Sequence, residues 1–117
     1  MSVIAVVPDS PEGVAALAAG AAEAKLMSTD LIVVNLALTP IDASTIPNGV
    51  AVSVIDRRGK GDRDPVDAVL DEIQDHAVDR LVIGLKRRSP VGKALLGSVS
   101  QRLLLDAPVP VVAVKIG

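Results

Sequence analysis

The residues with the most chemical potential lie between Gly84 and Gln101: Gly84, then Lys86-Arg87-Arg88, Lys93, and Gly97-Ser98-Val99-Ser100-Gln101. A hydrophobic run ends on Gly84, a basic loop follows, and a Gly-Ser pair opens a helix. Ser98 to Gln101 has the form of a capping box, in which the serine hydroxyl accepts from the fourth residue's N–H and the glutamine reaches back. Gly97 suits the left-handed position that would close a short helical piece over Pro90–Leu96. The N–H groups of residues 98–100 would then point outward with the positive end of the helix dipole, an arrangement that favours an anion. Lys86, Arg87, Arg88 and Lys93 add cationic charge, so a polyphosphate is the ligand class this segment suits. A capped helix beside a solvated basic loop uses the same residues and remains the plainer alternative.

Other reactive residues carry less. His76 stands alone among acidic neighbours and reads as a surface residue, with no second ligand or nucleophile beside it in a motif. Asp62, Asp64, Asp67, Asp71 and Asp75 lack the glycine and glutamate spacing of a calcium loop and fit a solvated helix face. Neither Ser98 nor Ser100 has motif support for a His/Asp relay, so nucleophilic catalysis is not expected. A phosphoryl-accepting receiver domain would use Asp56 and Lys115. It is disfavoured because Gly84 replaces the hydroxyl residue after the fourth strand and a single acid, Asp9, ends the first.

These residues need a scaffold to converge, and the hydrophobic pattern supplies one. Val3–Val7 is a β-branched run closed by Pro8 and Asp9; Ser10-Pro11-Glu12 then reads as N-cap, first position and first-turn acid of a helix running to about Met27. Leu31–Leu38 is apolar on both faces apart from Asn35, as a central parallel strand should be. Thr39–Gly49 is a loop. Val50–Ile55 alternates, with Ala51 and Ser53 on its weaker face, and Asp56–Asp64 is a charged loop. Pro65 opens a helix whose Val66, Val69, Leu70, Ile73 and Ala77 follow helical spacing. Leu81–Ile83 and Val111–Val114 are the fourth and fifth strands, with a helix from Val99 to about Asp106 between them. Strands alternating with helices give an α/β fold: a five-stranded parallel sheet, order 3-2-1-4-5, doubly wound. Asp9 and Gly84 then face one crevice at the switch point, where open α/β sheets bind ligands.

Composition narrows the partners. The chain has 117 residues, expected to form one domain over 1–117, and half of them are apolar with no Phe, Tyr or Trp. Without aromatic platforms a bound base needs aliphatic walls and backbone hydrogen bonds, and single-stranded nucleic acid loses its usual stacking surface. A formal charge of −2 gives no general attraction to nucleic acid or anionic lipid. Cysteine is absent, which excludes disulfides and thiolate chemistry. No apolar run reaches membrane-spanning length and the N-terminus enters a strand directly, so a cytoplasmic protein is expected.

The segment from Arg80 to Lys115 resembles the C-terminal signature of the universal stress protein family: a glycine after the fourth strand, two residues, a second glycine, nine residues, then Gly-Ser or Gly-Thr. Gly84 and Gly97-Ser98 hold the first and last elements at that spacing. Ala107-Pro108-Val109-Pro110-Val111-Val112 is similar to the family's entry into its last strand, and a first strand ending in Asp9-Ser10 agrees. The resemblance spans essentially the whole chain. It implies a three-layer, flavodoxin-like sandwich of the adenine nucleotide alpha hydrolase type, and a non-enzymatic, cytoplasmic stress-response regulator that binds ATP. Asp9 would take the ribose, and the backbone at Leu36 the adenine. Gly84, Gly97, Ser98, Val99 and Ser100, with Arg87 and Arg88 alongside, would take the phosphates and the Mg or Mn they carry. It also implies a homodimer through residues 110–115. Two departures stand out. Arg87 occupies the second glycine position, where a Cβ could block phosphate and a guanidinium could bind it. The link between the second and third strands is too short for the family's usual helix, which leaves one sheet face thinly covered. These departures keep open a non-nucleotide-binding dimeric interaction module.

Overall fold

The structure, a computed structural model, describes residues 2–37, 40–41, 48–56, 64–88, 93–95 and 98–116. Its elements in chain order are β1 (Ser2–Val7), α1 (Pro11–Leu26), β2 (Asp30–Asn35), β3 (Val52–Asp56), α2 (Pro65–Asp75), β4 (Val78–Arg88), β5 (Lys93–Leu95), α3 (Ser98–Asp106) and β6 (Val111–Ile116). Five strands run parallel in the order β3-β2-β1-β4-β6, as expected. The sixth, β5, was not expected as a strand. Residues 93–95 pair antiparallel with 86–88, where the sequence predicted a helical piece over Pro90–Leu96. The reason lies in β4, which runs well past the expected Leu81–Ile83. Its extension beyond β1 would leave backbone N–H and C=O groups open, and β5 pairs with them against the helical preference of Lys, Ala and Leu.

Strand alternation divides the core in two. Ile4, Val6, Ile32, Val34, Leu81 and Ile83 meet α2 and α3 on one face. On the other, Val3, Ala5, Val7, Leu31, Val33 and Val82 meet α1. Leu103 anchors α3 in the first layer, and full burial of such a side chain contributes about 1.5–3 kcal/mol. α1 is apolar around most of its circumference, but its buried stripe consists mainly of small residues: Gly13, Ala16, Leu17, Gly20, Ala21 and Ala24. That stripe lets the helix lie against the sheet. A Cβ on Gly20 would stand 2.8 Å from the Ala5 Cβ, and one on Gly13 would run into the Pro8 carbonyl oxygen.

No helix is described between β2 and β3. Val54, which shares its strand face with Val52 of the α1-side layer, is 40% exposed. The thin cover is therefore on the α1 side. The sequence reading linked it to Ala51 and Ser53, but those lie on the opposite strand face and are exposed there. β2 stops at Asn35, short of the expected Leu38, because the Asn35 Oδ1 accepts the Ala37 N–H at 3.0 Å and turns the chain.

Candidate functional site

All three helices begin at the edge of the sheet where the parallel strands end, so their positive dipole ends share one rim. β1 and β4 pair only as far as Ala5 and Val82, while β1 stays paired with β2 up to Val7 and Asn35. Beyond Ala5 the two central strands part, which opens the switch-point crevice that the topology predicts.

On the α1 side this rim holds a cavity of about 310 Å³, near the lower end of the roughly 300–1,000 Å³ usual for small-molecule sites. Its walls come from the β1 end (Val7, Pro8, Asp9, Ser10), the first two turns of α1 (Gly13, Val14, Leu17, Ala18) and the β2 end with its loop (Asn35, Ala37, Pro40, Ile41). Most of the lining is aliphatic. Asp9 is the one charged residue among the described lining, carried on the exposed bend between β1 and α1. Asn35 is fully buried and fixed: its Nδ2 donates to Asp56 Oδ1 at 2.8 Å while its Oδ1 holds Ala37. Asp56 is therefore engaged by an amide, which leaves it poorly suited to receiver chemistry.

Ser10 occupies the N-cap of α1, as expected, but its side chain makes no capping bond. Its Oγ is buried without a hydrogen-bond partner. Leu36 is near the cavity, yet its N–H already donates to the Val7 carbonyl at 3.0 Å and its side chain packs into the α2-side layer. An adenine there would have to use other backbone atoms. The sequence did not single out Ser10, Asn35, Ala37, Pro40 or Ile41 as site residues; a lone polar residue ending an apolar strand, Asn35, was the signal available.

The other half of the rim departs further from expectation. Gly84 lies buried within β4, paired with Val114, and a Cβ on it would collide with the Glu12 carbonyl oxygen of α1. The close approach of a helix thus accounts for this glycine without a phosphate. Arg87 and Arg88, expected in a loop, belong to β4 through their backbone; their side chains, and Gly97 altogether, lie outside the described residues. Lys86 pairs with Leu95 of β5 and with Ile116 of β6, which must lie on opposite edges of β4. β5 therefore runs on the β1 side, in the lane above the point where β1 and β4 separate. α3 includes Ser98 as its first residue; the Ser98 side chain, and with it the capping box, falls outside the described residues. Val99 packs against the core, so its possible contribution to a ligand is through the backbone, and Ser100 is half-buried.

Electrostatics tie α3 to α2. Arg102 Nη1 donates to Asp64 Oδ2 at 2.9 Å, and Asp64 Oδ1 caps α2 by accepting from the Val66 N–H at 2.8 Å. The guanidinium first, then the cap, hold the Asp64 carboxyl below the usual range, and Arg102 is raised in return. His76 is exposed and pairs with Glu72 at 3.2 Å, as befits a surface residue. Among the described residues no three His, Asp or Glu side chains gather as a metal site, and no helix is long and apolar enough to cross a membrane.

Comparison with known proteins agrees with this architecture. Residues 47–115 match the model of the universal stress protein family. A universal stress protein of Mycolicibacterium smegmatis is 36% identical over 120 aligned positions, covering 90% of each chain. The solved universal stress protein of Archaeoglobus fulgidus superposes with a TM-score of 0.70 at 26% identity, covering 97% of both chains. A structure of a universal stress protein from Archaeoglobus fulgidus in complex with dAMP shares the fold at a TM-score of 0.64 and 21% identity, covering 97% of this chain and 96% of that one. By family match, curated relative and fold together, this chain belongs to the universal stress protein family.

Proposed function

We propose that this chain is a regulatory stress-response protein that binds an adenine nucleotide at the C-terminal rim of its sheet, without acting as an enzyme. The observation that carries the reading is the cavity between the ends of β1 and β2 and the start of α1, with Asp9 as the only charged residue among its described lining. A carboxylate on an aliphatic wall suits a ribose diol and a base that no aromatic ring is available to stack. It does not suit phosphate, and no Lys or Arg is among the described lining residues. The phosphates would instead extend toward the start of α3, where the first-turn N–H groups of Val99 and Ser100 lack helical partners, with Arg87 and Arg88 on the neighbouring strand. A divalent cation would arrive with the phosphates, since no three-carboxylate cluster is found among the described residues. The dAMP complex of the Archaeoglobus protein adds support by analogy.

Native mass spectrometry combined with calorimetric titration of ATP tests this. Binding is expected, and Asp9→Ala should weaken it about tenfold, the scale of a lost hydrogen bond to a charged group. A protein that stays nucleotide-free in millimolar ATP would defeat the reading. One observation favours the second reading, a dimeric interaction module without nucleotide: β5 is paired along β4 where an open phosphate loop would be required. In either case β6, an edge strand paired only with β4 among the described residues, is the surface proposed for a homodimer, and the cytoplasm the proposed compartment.

A further inference from the structure

Of the two helix starts whose caps are described, both carry a residue whose side chain should accept a hydrogen bond from the first turn, and one of them uses it. Asp64 caps α2 through the Val66 N–H. Ser10, in the corresponding place on α1, is extended (φ −165°, ψ 169°) and caps nothing. Its hydroxyl is the one side-chain polar atom among the described residues that is buried and without a partner. A buried hydroxyl left unmatched costs stability. Yet Ser10 belongs to the wall of the cavity beside α1. One rotation about its Cα–Cβ bond, between staggered positions, re-aims the oxygen relative to that wall.

We infer that Ser10 reads the ligand: its hydroxyl is reserved for a polar group on the base-and-sugar part of an adenine nucleotide, and the cavity accepts the free nucleoside as well. The inference rests on the nucleotide reading and adds to it a contact residue and a wider ligand class. The other polar groups of the wall support this division of roles. Asn35 has its amide engaged by Asp56 and Ala37, so it shapes the wall and has little left to offer a ligand. Asp9 is exposed at the bend, repels phosphate and accepts hydroxyl donors. The remaining described lining is aliphatic or backbone, which matches a neutral heterocycle and, among the described residues, offers no counter-charge to an anion. Phosphate therefore contributes from outside the cavity, and adenosine retains the contacts made within it.

Wild type and Ser10→Ala, each titrated calorimetrically with adenosine and with ATP, test the inference alongside thermal melts of both ligand-free proteins. Because the hydroxyl caps nothing, the variant should melt at the wild-type temperature or above it without ligand. Its affinity for both ligands should fall about fivefold, the scale of one hydrogen bond. A lower melting temperature for the ligand-free variant would make the hydroxyl structural and overturn the inference, whatever the affinities. Unchanged affinity in the variant, beside normal binding by wild type, would overturn the inference and leave the nucleotide reading intact. Wild type that binds ATP but not adenosine would also overturn it. Wild type that binds neither ligand would remove the nucleotide reading and this inference together.

Discussion

At the β1–β2 end of the rim, Asp9, Ser10 and Asn35 are held by two paired strands, the first turns of a helix and a turn locked by a side-chain amide. At the β4–α3 end, the basic residues Lys86 to Arg88 are set by a short antiparallel ladder with β5 and, at Lys86 only, by the last pair with β6. Among the described residues the first region carries little charge and already contains a cavity, whereas the second brings the backbone of Lys86, Arg87 and Arg88 and the start of α3 to the same rim. The difference teaches how one rim divides the recognition of an amphiphilic ligand. A preformed apolar wall suits the neutral part, where shape decides, and charge near helix starts suits the anionic part, where long range matters more than fit. α1 joins the regions: its first turn meets Pro8 at Gly13 and meets β4 where the Glu12 carbonyl covers Gly84.

That junction offers the strongest test of the comparison. Gly13→Ala would gain some helix propensity, but its Cβ would strike the Pro8 carbonyl, backbone that cannot swing aside. A net loss of about 3 kcal/mol is expected, read as a lower urea midpoint. Gly84→Ala should lose nearly as much, about 2 kcal/mol, through the Glu12 carbonyl and without any ligand present. If Gly84→Ala kept its urea midpoint and only weakened ATP binding, the glycine would belong to the phosphate region and the division drawn above would fail.

Next in size is the wall of the cavity. Asn35→Ala removes the donor to Asp56 and the acceptor for Ala37 at a fully buried position. About 2 kcal/mol should be lost in chemical denaturation. Nucleoside binding should weaken as the loop that carries Pro40 and Ile41 loses its anchor. Undiminished adenosine affinity would mean the wall is not held by this amide.

The two regions also differ in how far the sequence revealed them. The parallel order was legible because β-branched runs alternated with a helix of clear apolar spacing, and right-handed crossovers leave few arrangements of such units. The rim position of Asp9 followed from that order alone. β5 was not legible. Lys93-Ala94-Leu95 has no strand preference of its own and pairs because β4 outruns β1, a consequence of strand lengths that appears only once the sheet is assembled. Gly84 was visible as a glycine but not as a contact, since Glu12 lies far from it along the chain. Ser10 was read correctly in place and incorrectly in use: the sequence marks an N-cap, but whether the hydroxyl turns toward the helix depends on what packs around it.

The smallest expected effect concerns the link between α2 and α3, which steadies the charged region from behind. The Asp64 carboxyl is lowered first by its hydrogen bond to Arg102 and then by the Val66 N–H. A group whose folded pKa lies below its unfolded value is protonated more readily in the unfolded chain. Its contribution is therefore complete above the unfolded value and is lost as pH falls through the folded one. Arg102→Gln should raise the folded pKa of Asp64 toward the ordinary carboxylate range, with the Val66 cap still holding it somewhat low. The acid-dependent loss of stability that Asp64 carries should then be shallower. The variant should be slightly less stable than wild type above the ordinary carboxylate range, and the two should converge as pH falls. The difference near pH 7 stays small, because exposed pairs are weak and screened by salt. Carboxyl NMR titration of both proteins would follow Asp64 directly. If its titration were the same in both, the guanidinium would not govern this carboxyl, and α3 would have to be held in place by the burial of Leu103 and the packing of Val99 alone.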